Sequence, residues 1–118
     1  MINLAKPNKK LASRILTEVD FRKHIMGYQL SERGGARPVK LYSFEEVVNF
    51  LNAPHPRIDF EALLVWVQDV VSDLELTSKL KAIFHQDVSD YEKSLRCREL
   101  MEQRLAQSKA VGSLSHFG

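Results

Sequence analysis

Ser43 is followed three residues later by Glu46, and Tyr42 and Val47 stand where a hydrophobic staple belongs. That capping box is the sharpest boundary in the chain, and it predicts a helix from about Phe44 to Leu51. The segment Asn52-Ala53-Pro54-His55-Pro56 must end it, because two prolines remove backbone donors and restrict the residues before them. A rigid turn is expected there.

The same logic extends forward. Asp59 is a good N-cap and Ile58 with Leu63 repeats the staple, so a third helix should run to about Val71. Its apolar residues Leu63, Leu64, Trp66, Val67, Val70 and Val71 cover more than one face, which predicts a helix at the centre of the core. Leu76, Leu80, Ile83 and Phe84 give a fourth amphipathic helix, and a second capping box, Ser89 to Glu92, opens a fifth. In that fifth helix Tyr91, Leu95, Met101 and Leu105 trace a thin apolar stripe among Arg96, Arg98, Glu99, Glu102, Gln103 and Arg104. Gly112 is placed to end it.

Upstream of Ser43 the pattern is less decisive. A first helix is expected from about Asn8, with Leu11, Ile15 and Val19 at helical spacing. Met26 and Leu30 extend that spacing, but Gly27 weakens it. Alternatively, Ile25 to Leu30 forms a strand paired with Val39 to Tyr42 across the reversal that Gly34-Gly35 permits. The expected fold is therefore a mostly α, compact domain of four to five helices over residues 8–111, with a short β-hairpin between Ile25 and Tyr42 as the open alternative. Residues 1–7 and 112–118 are expected as flexible ends.

At 118 residues the chain is long enough for one real core. Cys97 is its only cysteine, so no intrachain disulfide forms and a reducing cytoplasm is the expected setting. The first ten residues lack the apolar stretch of a signal peptide. The longest apolar run, Ala62 to Val67, is far short of the ~18 residues of a membrane span, so no membrane insertion is expected.

Charge is sorted into blocks: residues 1–42 carry nine Lys/Arg against three Asp/Glu, 43–92 three against ten, and 93–118 five against two. The basic first block makes nucleic acid a candidate partner, with Lys9, Lys10, Arg14, Arg22 and Lys23 on phosphates and Tyr28 and Tyr42 available for stacking. No helix-turn-helix, RRM or zinc-finger pattern accompanies it. The acidic block falls mostly in helix caps and first turns, where the macrodipole favours negative charge without any catalytic reason.

Nothing in the chain spells out a catalyst. His24, His55, His85, His116 and Cys97 show no ligand spacing for structural zinc, and no nucleophile elbow, phosphate loop or zinc-protease motif is present. Neither cofactor nor metal is expected. A pocket uniting His24, His55 or His85 with a carboxylate is the arrangement that would indicate proton transfer.

These observations favour a small adaptor or regulatory protein that acts through protein contacts. The expected contact surface is Tyr91, Leu95, Arg96, Arg98, Met101, Arg104 and Leu105 on the fifth helix, together with the loop around Pro54 to Pro56. Self-association through the same stripe is a further expectation, although Arg98 and Glu102 interrupt any sustained coiled coil. Leu114 and Phe117 in the tail have the spacing of a short docking motif.

Overall fold

The computed structural model describes residues 4–31 and 33–115. Five helices and a small sheet make up the fold: α1 (Lys9–Leu16), α2 (Phe44–Asn52), α3 (Phe60–Trp66), α4 (Leu74–Phe84) and α5 (Asp90–Ser115), with strands β1 (Ile25–Leu30), β2 (Ala36–Leu41) and β3 (Pro56–Ile58). The mostly helical fold and its hairpin are as the sequence predicts. The phase of the apolar residues at 25–30 settles the open choice, since Ile25 and Gly27 are buried while Tyr28 is exposed. That alternation belongs to a strand.

Caps placed from sequence close as expected. Ser43 Oγ accepts from Glu46 N–H and the Glu46 carboxylate accepts from Tyr42 N–H, both at 3.1 Å. Asp59 Oδ1 accepts from the amides of Glu61 and Ala62, and Ser89 Oγ from that of Glu92. Beyond Trp66 the third helix widens into a π-helical segment, Val67–Val71, and ends at Ser72 in the left-handed region with φ 62°. Arg14 on α1 donates to the exposed carbonyls there, to Val71 O at 2.9 Å and Ser72 O at 3.5 Å.

The strand order is β2-β1-β3, all antiparallel, with Gly27 opposite Val39 on one side and Ile58 on the other. A side chain at Gly27 would meet the Phe50 ring of α2 at 2.6 Å, so the missing side chain is what lets α2 lie flat on the sheet. β3 is not expected from sequence, because Pro56 reads only as the end of the turn. Flanking bonds set the phase of the ladder: Ser31 N–H donates to Gly35 O, and Leu30 N–H to His55 O. Odd-numbered residues of β1 therefore bond to β2 and even-numbered ones to β3. Pro38 lies opposite Tyr28 and Pro56 opposite Gln29, each in a non-bonded pair. Both outer edges of the sheet thus carry a proline where an N–H would have pointed away from it, which blocks pairing with a further strand.

The centre of the molecule differs from expectation. α5, not α3, is the hub, and it packs against α1, α2 and α4. Its internal face is Cys97, Leu100, Met101, Arg104, Leu105, Ser108 and Val111, all buried. The three- and four-residue spacing is regular, but it passes through an arginine, a serine and a cysteine, so an apolar count misses it. Met101, Leu105 and Arg104 are therefore internal, which corrects their assignment to a contact surface. The Met101 and Leu105 part of the stripe docks on its own chain.

The ends also depart from the sequence reading. Leu4 is buried, its carbonyl accepts from Gln107 Nε2 at 2.8 Å, and the Ala5 carbonyl accepts from Arg104 Nη1 at 2.7 Å. Residues 4–7 are docked rather than loose. At the other end the helix continues through Gly112 to Ser115, and the expected docking motif of Leu114 and Phe117 lies outside the described side chains.

A candidate docking groove beside the double-proline turn

Although α5 buries one face, a second face lies roughly a third of a turn away around its axis. There Tyr91, Ser94, Leu95 and Arg98 recur at helical spacing and form one wall of a cleft of about 640 Å³. The opposite wall is the chain from Leu51 through Pro54, His55 and Pro56 to Phe60. The fold thus unites the double-proline turn with Tyr91, Leu95 and Arg98, which are separated from it by more than thirty residues of chain. Arg96 points elsewhere, bonded to Glu92 at 3.2 Å and to the Gln86 side chain.

Each wall is held in place. Phe60 stacks on Phe84 of α4 with ring centroids 4.4 Å apart. Asn52 Nδ2 donates to Val48 O and to Glu102 Oε1 at 2.8 Å, which ties the end of α2 to α5. Glu102 in turn lies 3.6 Å from Arg98 Nε, too far for a hydrogen bond, and this buried Nε has no hydrogen-bond partner. His55 takes φ 52°, a left-handed conformation uncommon outside glycine that costs on the order of 1 kcal/mol and aims the turn along the rim. Tyr91 is 74% exposed.

His55 lines this cleft together with Asp59 and Asp90. No hydrogen bond joins the imidazole to either carboxylate, and Asp59 Oδ1 is committed to the amides of α3. His24 Nδ1–H donates to Phe21 O and the ring packs on Tyr42, and His24 does not line the cleft. Burial pushes the Cys97 thiol up to about 12, which keeps it a protonated, unreactive core group. Among the described residues no three His, Cys, Asp or Glu side chains are placed to hold a metal ion.

The expected phosphate-binding set is dispersed. Lys9 and Lys10 are exposed on α1, but Arg14 is half-buried as the cap of the π-helical segment. Arg22 pairs with Asp20 at 3.4 Å and lies 5.8 Å from the centre of the Phe21 ring. Lys23 is exposed, while its carbonyl accepts from Trp66 Nε1. Tyr42 is half-buried, which leaves Tyr28 as the exposed one of the two tyrosines.

No protein-family model, no curated protein and no solved structure matches this chain. No helix among the described residues is long and apolar enough to cross a membrane.

Proposed function

We propose that the protein is a small adaptor or regulatory module that holds a short segment of a partner protein in the groove between the Pro54–Pro56 turn and α5. The observation that carries this reading is the convergence of Tyr91, Leu95 and Arg98 with the double-proline turn on one cleft of about 640 Å³. Leu51, Pro54, Leu95 and Phe60 give it apolar walls, and Arg98 brings one cationic group to it. That chemistry suits a segment with an apolar anchor side chain and a carboxylate close to it. Strand addition is an unsuitable mode, because Pro56 occupies the outer edge of β3.

The partner need not be identified for the groove to be tested. Peptides are selected from a random displayed library against the full chain, then measured against Leu95→Asp, Tyr91→Ala and Arg98→Glu. Selected peptides that bind the parent and lose about tenfold or more on each variant, with thermal unfolding unchanged, support the groove. Peptides that bind all three variants as well as the parent place recognition elsewhere, and failure to select any peptide counts against the module.

A further inference from the structure

The sheet has a second face, opposite the one that Phe50 of α2 covers, and its Leu30 and Arg57 also line the groove. Residues directly opposite one another on paired strands share a face, so Met26, Tyr28 and Leu30 of β1 lie with Ala36, Pro38 and Lys40 of β2 and with Arg57 of β3. Tyr28, Ala36, Pro38, Lys40 and Arg57 are all exposed, with Tyr28 at 45%. The inner face of the same strands is filled by Ile25, Leu41 and the close approach of Phe50 to Gly27. Alternation thus separates a packed face from an open one.

Its charge is one-signed. Of the basic residues in the three strands, Lys40 and Arg57 lie on this face, and the strands contain no aspartate or glutamate. No ion pair engages either of these two among the described residues, whereas Arg22, Arg96, Arg98, Arg104 and Lys109 all have carboxylate partners. Intramolecular neutralisation, the simplest use of a basic block in a chain with an acidic middle, does not reach this face. Arg57 lies directly opposite Tyr28, and Lys40 lies diagonal to it on the other neighbouring strand. An aromatic ring is thus bracketed by two free cations on a surface that, with prolines on both edges, does not recruit another strand.

We propose that this outer face binds single-stranded nucleic acid, with Tyr28 stacked on one base and Lys40 and Arg57 neutralising the phosphates on either side. A single strand fits because its bases are free to present a flat face to the tyrosine, whereas a duplex keeps its bases stacked on each other. The cations supply affinity without sequence preference, so the site discriminates strandedness more than sequence. The face meets the groove at Leu30 and Arg57, so Arg57 is shared between them, and the assignment moves nucleic-acid recognition from Lys9, Lys10 and Arg14 on α1 to the sheet.

Labelled short single strands of mixed sequence, DNA and RNA, are titrated with the full chain at about 50 mM and about 150 mM salt while anisotropy is read. The expected result is saturable binding that weakens with salt. Tyr28→Ala should lose about tenfold in affinity and Tyr28→Phe should retain it, because stacking needs the ring and not the hydroxyl. Lys40→Gln and Arg57→Gln should each lower the salt slope by about one, and the double variant Lys9→Gln/Lys10→Gln should leave it unchanged. The proposal is overturned by absence of saturable binding at low salt, by Tyr28→Ala binding as well as the parent, or by Lys9 and Lys10 carrying the slope. Equal competition by duplex would likewise overturn it, since it would reduce the face to a cationic patch.

Discussion

Arg104 and Asp73 meet in the core, Nε to Oδ2 at 2.7 Å, with both side chains only 1% exposed. The aspartate also caps α4 through Leu76 N–H, and the guanidinium reaches on to Glu75 at 2.8 Å and to the Ala5 carbonyl. Removing the cation strands a buried carboxylate, which is much costlier than losing a surface pair. Arg104→Met should destabilise the protein by about 3–5 kcal/mol, whereas Arg96→Ala should stay within about 1 kcal/mol. Urea unfolding of the two variants checks the contrast.

Glu75 makes the same cluster sensitive to acid. Two bonds from Ala5 N–H, at 3.1 Å each, hold its carboxyl below the usual range, and Arg104 adds to the effect. A depressed folded-state value means stability that is complete above the unfolded value and is lost as pH falls through the folded one. Stability should therefore decline as pH drops below about 4.3, and Glu75→Gln should flatten that part of the profile. Thermal melts from neutral pH downwards read both curves.

Cys97 is fully buried against Met101, with its thiol raised to about 12. It should react with a thiol reagent at mildly alkaline pH only as fast as the protein opens. Labelling that tracks global unfolding in added urea is the expected outcome, and rapid labelling of the native protein would contradict the packing.

Gly27→Ala would place a methyl group 2.6 Å from the Phe50 ring. The expected cost is about 1–3 kcal/mol from overpacking, and Phe50→Leu in the same chain should recover part of it. A double-mutant cycle measured by chemical denaturation gives the coupling.

The sequence discloses elements wherever backbone chemistry is local. Ser43 with Glu46, Asp59 and Ser89 each name a helix start because the bonds they make span only two to four residues. What they cannot name is a partner far along the chain. Arg104 reads as surface charge until Asp73, Glu75 and Ala5 surround it, and Arg14 reads as a phosphate ligand until the π-helical segment presents its carbonyls. β3 is invisible for a related reason, since a three-residue strand holding one proline has no pattern of its own and exists only because β1 offers it an edge. The groove falls between these cases: Tyr91, Leu95 and Arg98 share a helix face by spacing alone, but their meeting with Pro54 to Pro56 is a tertiary fact.

Docking of residues 4–16 onto α5 also sets a timetable for the chain as it is made. The carbonyls of Ala5 and Leu4 find their donors on residues 99 and 103 positions later, and Ala12 and Ile15 of α1 face a helix translated at the far end of this sequence. Synthesis runs at ~5–20 residues per second, so α1 waits several seconds beside the ribosome with its apolar side uncovered. Folding of this domain is therefore obliged to finish after α5 has emerged, and a nascent chain stalled before Arg104 should engage general chaperones more than one released complete.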